Sequence, residues 1–487
     1  MEASKKRSYL LKLSLFATGL SGIVSEYMLS TTASYFLGDS VFQWTITVSL
    51  MLFSMGIGSN ISKYFTKNLL STFIKVEYLL SFLVSFSVLF SYYFAGFPEV
   101  RMIAIYGLAI FIGILIGLEI PLVMRLNEEF EELKINIANV LEKDYYGSLA
   151  GGMFFAFVGL PIIGLQYTPF LLGLVNFAVA TLLLIKVKEF VEDYSKLKII
   201  FAVTATIILA GAFFSKEIIF YAEQNKYNDL VVFQEQTKYQ KLTLTKFKDN
   251  YWLYINGNLQ FSTYDEVLYH EPLVHPALNL TASRGKILIL GGGDGCALRE
   301  VVKYKDIQEI TLIDLDRGMT DLGKNNAILV ELNKNSFSDK RLTVINKDAY
   351  NYLEDSSGIY DVIICDFPDP RSADLARLYS KEFYELCKRS LSENGILVTQ
   401  AGSPYSTPYV FESIQKTIES AGFSSIRFRN HVPTMGEWGF ILASKSINEA
   451  ELKKRFSEIN FNGIETKWLN NEAIPLILSF GKNYFFF

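Results

Sequence analysis

Five carboxylates in the second half of the chain stand directly after short apolar runs: Asp294 after "KILILGGG", Asp314 in "EITLID", Asp348 after "LTVINK", and Asp366 and Asp369 in "YDVIICDFPD". A carboxylate so placed can take a proton from a nucleophile, bind ribose hydroxyls, or hold a cation by charge. No Lys or Arg is expected at the same strand ends, so a crevice shared by all five calls for a cationic ligand. Helix capping would account for one or two of them, but poorly for five. The turn Gly291, Gly292, Gly293, Gly295 follows one of these runs and precedes the helical pattern "CALREVVKY". Glycines there permit a tight turn and a close backbone approach to a nucleotide at a helix N-terminus. A GxxxxGK[ST] pattern is absent, which excludes phosphate cradling by a P-loop. Asp314 lies about twenty residues beyond the turn, where a carboxylate reaches ribose hydroxyls. The plainer alternative is that one of Asp314 and Asp316 merely caps the following helix.

The elements that must hold these residues are legible in the apolar periodicity. Short buried runs at 286–290, 309–316, 342–346, 360–366 and 395–400 alternate with amphipathic helices, and 425–430 and 438–444 follow. This predicts a mostly parallel, doubly wound sheet, with the acids at its carboxyl edge. Before it, from about 216 to 284, the apolar period drops to two, with Asn256-Gly257 as a hairpin turn. The polar tail after 446 ends in an aromatic cluster, Tyr484 to Phe487.

The first 215 residues read differently. Apolar runs at 13–30, 41–60, 72–95, 102–124, 146–165, 168–185 and 199–214 predict an all-α polytopic membrane domain of about seven spans. Gly, Ser and Ala recur in "SMGIGSNIS" and "GSLAGG", a spacing that lets helices pack closely in lipid. Glu26, Lys75, Glu77 and Glu119 lie within or near these runs, where ionisable groups are costly; Lys75 and Glu77 are read as snorkelling from a helix end. The chain is 487 residues long and half hydrophobic, with a net charge of −4, three cysteines and three histidines. No basic field recommends nucleic acid, and Cys296, Cys365 and Cys387 form neither a disulfide framework nor a thiolate metal site.

Together, "YINGNLQFSTYDEVLYHEPLVHPAL", "ILILGGGDGCALREVV", "ITLIDLD", "NKDAYNYL" and "YDVIICDFPDP" resemble the spermidine synthases, the polyamine aminopropyltransferases, over about 220–445. The preceding half resembles the multi-pass form of that family in "GLEIPLVMR" and "KDYYGSLAGG". The resemblance implies a small N-terminal β-domain (216–284), a Rossmann-like, methyltransferase-type α/β domain (285–445) and a C-terminal extension (446–487). It implies transfer of an aminopropyl group from decarboxylated S-adenosylmethionine, a co-substrate, with no prosthetic group and no metal. On the donor side it places Gln240, His270, Gly291 and Gly293. Asp294 falls on the aminopropyl amine, Asp314 on the ribose, and Asp348 with Ala349 on the adenine. On the acceptor side it places Tyr269, Asp366 and Asp369, with Asp366 as the proton acceptor. A homo-oligomer in the lipid bilayer is implied as well.

Phe367 and Pro368 stand between the two acids where most members have small hydroxyl residues, and "VPTMGEWGFIL" lacks the tyrosine usual near that point. The acceptor is therefore putrescine first, with a longer diamine or spermidine open. Two alternatives remain: an S-adenosylmethionine-dependent methyltransferase, and a polyamine transporter or sensor with a synthase-like binding domain. Lys and Arg cluster before the first run and after the second, fourth and sixth, which places the N-terminus in the cytoplasm. Seven crossings would put the synthase region outside. A re-entrant last run, only 199–214, would keep it cytoplasmic, and that is the expectation adopted.

Overall fold

The computed structural model describes residues 2–97, 99–128, 132–191, 193–461 and 463–481. It divides into two compact units, Met1–Asn228 and Asp229–Phe487. The aromatic cluster at Tyr484 to Phe487 lies outside the described residues.

The first unit is helical: α1 (Glu2–Leu37), α2 (Ser40–Ile61), α3 (Leu69–Ala95), α4 (Arg101–Asn127), α5 (Leu133–Phe154), α6 (Gly164–Lys186) and α7 (Tyr194–Gln224), with a π-helical stretch Phe155–Ile163 joining α5 to α6. Among the described residues five helical segments are long and apolar enough to cross a membrane, and one of them, Leu133–Lys186, contains both α5 and α6. At ~1.5 Å per residue that segment is long enough for two crossings of a ~30 Å core. The first predicted span falls outside the five. It lies in α1, whose buried side carries Ser14, Thr18, Ser21, Ser25, Ser30 and Thr32.

The small residues act as packing contacts. A Cβ on Gly147 would stand 2.1 Å from the Phe16 carbonyl of α1, and one on Gly117 would stand 2.1 Å from that of Met55 on α2. Two expectations for this half need correction. The short last run belongs to α7, 31 residues long and so about 46 Å, which removes the ground for a re-entrant segment and assigns 216–224 to this helix instead of the β-domain. Glu77 does not snorkel: it is fully buried, whereas Lys75 is exposed and pairs with Asp193 at 3.9 Å.

In the second unit β1 (Leu230–Gln236), β2 (Lys241–Phe247), β3 (Asn250–Ile255) and β4 (Asn258–Ser262) form an antiparallel sheet in chain order. Asn256 and Gly257, with φ of 50° and 78°, supply the two left-handed positions of the β3–β4 turn. After α8 (Val267–Leu280) come β5 (Lys286–Gly291), α9 (Cys296–Val301), β6 (Glu309–Asp314), α10 (Arg317–Asn325), α11 (Ala327–Leu332), β7 (Leu342–Asn346), α12 (Ala349–Asp355), β8 (Tyr360–Asp366), α13 (Ala373–Ala376), α14 (Lys381–Ser390), β9 (Leu391–Gln400), α15 (Pro408–Ser420), β10 (Ser424–Val432), β11 (Gly436–Ser444), α16 (Glu449–Ser457) and α17 (Ala473–Leu478).

The seven-stranded sheet runs β10-β11-β9-β8-β5-β6-β7. Strands β5 to β9 are parallel, while β10 and β11 form an antiparallel hairpin, because residues 433–435 are too few for a crossover. The chain reverses its direction of travel between β5 and β8, and that is where an open sheet leaves its crevice. Side chains alternate across the sheet: Ile287 and Ile289 enter one apolar layer, Leu288 and Leu290 the other. The first layer also takes Leu273 and Val274 of α8, and Phe456, Ile474 and Ile477 beyond β11. The C-terminal segment is thus part of the core and not an appendage. Glu271 fastens it by accepting the amide N–H groups of Lys467, Trp468 and Leu469 at 2.6, 3.0 and 2.8 Å.

Candidate active site

The glycine turn at the end of β5 exists because its neighbours leave no room. At Gly291, φ is 84°, and a Cβ would meet the Asp366 carbonyl of β8 at 2.0 Å. The Gly293 N–H donates to Asp314 Oδ2 at 3.0 Å and the Asp316 N–H to its Oδ1 at 2.9 Å, so Asp314 is folded back onto the turn. Asp316 is the N-cap of α10 and accepts the Thr237 hydroxyl at 2.7 Å. That bond draws the β1–β2 loop to the end of β6, and Gln240 comes with it, its N–H donating to Thr237 Oγ1 at 3.0 Å.

Asp366 closes β8 and accepts the Tyr269 hydroxyl on Oδ1 at 2.7 Å. Asp294 starts the step into α9, accepting the Cys296 N–H at 2.7 Å. One ring nitrogen of His270 and one oxygen each of Asp294 and Asp366 lie within 4.8 Å of one another. Burial pushes Asp366 up to about 6 and Asp294 adds to the rise, while His270 and Tyr269 oppose it. Burial likewise raises Asp314 to about 7, against its two N–H donors. The Tyr269 hydroxyl is held well above its usual range by burial and by Asp366, so it remains a donor.

Asp369 pairs with Arg371 through Oδ2 at 3.3 Å, and its Oδ1 is buried without a partner among the described residues. Between the two acids the backbone is pinned: Gln400 Nε2 donates to the Phe367 carbonyl at 2.7 Å and the Tyr379 hydroxyl to that of Pro368 at 3.0 Å. Asp348 is the N-cap of α12, accepting the Asn351 N–H at 2.9 Å, and pairs with Arg377 at 2.7 Å; Ala349 beside it is buried. The expectation of strand ends without basic neighbours therefore fails for Asp348 and Asp369. Their arginines come from the stretch after β8, which folds back over the strand ends.

Sequence reasoning missed three further residues. Trp438 packs against Tyr269 with ring centroids 6.1 Å apart, its Nε1 buried and without a partner among the described residues. Glu266 and Arg299 form a buried ion pair behind His270. Only the four-residue spacing of Glu266 and His270 on one helix hinted at the second feature.

A carboxylate that titrates near 6 inside a crevice of further acids can take a proton from a bound ammonium at neutral pH and leave an amine free to attack. Known proteins with similar sequences fit that capacity. Residues 266–454 match the spermine/spermidine synthase domain family. The chain is 43% identical over 479 residues to polyamine aminopropyltransferase 2 of Aquifex aeolicus, covering 97% of this chain and 94% of that protein. It is 37% identical over 467 residues to the polyamine aminopropyltransferase of Oceanobacillus iheyensis, covering 95% and 90%. The crystal structure of spermidine synthase from Thermotoga maritima is 26% identical and covers 51% of this chain and 84% of that one, with a TM-score of 0.46. Near full-length identity at this level shows that the chain belongs to the polyamine aminopropyltransferases, enzymes that transfer aminopropyl groups to polyamines.

Proposed function

We propose that the crevice joins decarboxylated S-adenosylmethionine to putrescine, giving spermidine and methylthioadenosine. The observation that carries this reading is the close approach of Asp294 and Asp366 at the β5–β8 crevice. Their charges suit two ammonium groups, one on the donor's propyl chain and one on the acceptor. Asp366 takes a proton from the acceptor ammonium. The freed nitrogen attacks the carbon beside the sulfonium, a C–N bond forms, and the C–S electron pair returns to sulfur. The product keeps its protons as a secondary ammonium, and Asp366 passes its own to solvent.

Asp294 holds the donor amine, so that the propyl carbon lies in line with the nucleophile. Asp314 at the end of β6, bonded to the glycine turn of Gly291 and Gly293, takes the ribose. Asp348 and Ala349 take the adenine, and Gln240 and His270 border the donor. Tyr269 and Asp369 border the acceptor. Ordinary S-adenosylmethionine would bring a carboxylate against Asp294, which disfavours methyl transfer.

Full-length enzyme in detergent, given decarboxylated donor and putrescine, should release methylthioadenosine and spermidine in equal amounts. Product formation only with a longer amine would overturn the acceptor, and methylation from the ordinary donor would overturn the reaction.

The helical unit is read as a multi-pass anchor and the synthase unit as cytoplasmic. Its three cysteines are free and buried, as suits a reducing compartment. The lysine and arginine pattern with seven crossings argues the other way. A reporter fused after Asn228 decides between them: alkaline phosphatase activity there places the unit outside, and fluorescence from a cytosol-only fusion places it inside.

A further inference from the structure

Behind His270 runs a buried chain of charge whose other members, Glu266 and Arg299, have no place in the crevice itself. Arg299 of α9 grips Glu266 with two bonds, Nη1 to Oε1 at 2.7 Å and Nη2 to Oε2 at 2.9 Å. Glu266 Oε2 also meets His270 Nδ1 at 2.8 Å, one helical turn on. All three side chains are at most 4% exposed. Buried ions are stabilised only when fully partnered, and Arg299 meets that condition, with Nε on Glu300 at 2.7 Å and Nη1 on the Leu332 carbonyl at 3.0 Å. An Arg–Glu pair alone would complete a structural link. The further contact to His270 brings an anion to a ring that stands within 4.8 Å of Asp294 and Asp366.

We infer that Glu266 and Arg299 are positioning residues that hold His270 as an imidazolium beside Asp366, and so keep that base ionised at neutral pH until a cationic substrate arrives. The inference rests on Asp366 being the base. His270 faces Glu266 at the N-cap of its helix, Cys296 on α9, Asp294 on the glycine turn and Asp366 on β8, while Asp366 also faces Tyr269 and lies in the field of Tyr379. Burial alone would strip the ring of its charge. The Glu266 contact, with help from Asp294 and Asp366, outweighs it and raises His270 to about 9. The same contacts, with Arg299, hold Glu266 down at about 2 against its burial.

The sign follows. A neutral Gln at 266 lets the ring lose its proton near neutrality, Asp366 then loses a facing cation, and its protonation moves to higher pH. In Glu266→Gln the acid limb of the kcat/KM profile should move up by about one pH unit, the effect of removing an opposite charge at this range, with turnover on the plateau retained. Arg299→Lys keeps the charge and should leave the limb in place. The chain has three histidines, so ring NMR of histidine-labelled full-length enzyme gives three signals to assign. His270 should titrate well above 6.5 in the wild type and return to that value or lower in Glu266→Gln.

A uniform loss of activity with an unmoved limb, or a wild-type His270 titrating near its ordinary value, would falsify the relay. The wild-type titration decides even if the variant does not fold. An active Asp366→Asn enzyme would instead overturn the base assignment, which the NMR measurement does not test.

Discussion

Glu266 at the N-cap of α8 and Glu119 within α4 are both buried acids, and their partners differ. Glu266 has Arg299 on both oxygens and His270 on one. Its neighbours in the synthase unit fare as well: Glu271 takes three amide N–H groups, Asp314 takes two, and Glu300 has His275, Arg299 and Lys303. Glu119 on α4 is fully buried, and neither oxygen has a partner among the described residues. Glu77 on α3 has one contact of 3.4 Å, from the Thr18 hydroxyl, and its other oxygen has none. Glu266 and Glu300 are met by side chains, whereas for Asp314 the difference lies in the backbone. An α/β sheet ends its strands and begins its helices at one edge, and each such end offers free N–H groups to a carboxylate. A long apolar helix spends its N–H groups on its own carbonyls, so an acid on it must find other side chains. Carboxylates at such ends are readily partnered, while Glu77 and Glu119 in the helical unit are costs that some other requirement must justify.

The comparison can be broken from its strongest side first. Asp366→Asn keeps the shape of the base but removes its capacity, and should lower turnover by ~10²–10⁴ while methylthioadenosine binding measured by calorimetry stays intact. Turnover near the wild-type rate would leave the crevice acids without their assigned role.

The wild-type profile sharpens the same point. Asp366 works as a base only when ionised and burial pushes it up to about 6, so kcat/KM should fall at least tenfold per unit below that pH. A profile still flat at pH 5 would contradict the raised value.

Smaller effects separate the nucleotide acids. Asp314→Ala removes a buried acceptor from Gly293 and Asp316 and should weaken methylthioadenosine binding by about 1–3 kcal/mol. Asp348→Ala frees a more exposed helix cap and its Arg377 pair, and should cost about 0.5–1.5 kcal/mol. Unchanged affinity in both would place the nucleotide elsewhere. Last, Glu119→Gln should change transfer by no more than about twofold, as independent sites do. A tenfold loss would show that the two units share a function.

Much of the site was legible because its chemistry sits where the chain changes character. The glycine turn, the acid ending "YDVIICD" and the Asn256-Gly257 hairpin are local patterns, and each stands where expected. What escaped was nonlocal or lay past a charge. Lys216 and Glu217 end the last apolar run in sequence, yet α7 continues to Gln224 because charged residues carry a helix as well as apolar ones do. Arg377 reaches Asp348, 29 positions away, only because the stretch after β8 doubles back, whereas Arg371 stands two residues from Asp369 and could have been read from the sequence. Glu266 and Arg299 are 33 residues apart, and charged residues seldom lie fully buried, so nothing in their spacing announces the pair.

The tie between Glu271 and residues 467–469 bears on biosynthesis. Its two sides are separated by as many as 198 positions, and Ile474 and Ile477 cover the same layer as α8 and β5. On the ribosome, those early elements emerge long before their cover exists. At ~5–20 residues per second the apolar face of α8 waits on the order of ten seconds or more for its lid. Completion of this layer is therefore set by the arrival of residues 467–477 and not by the emergence of its strands, and in that interval the nascent unit offers chaperones an exposed apolar surface.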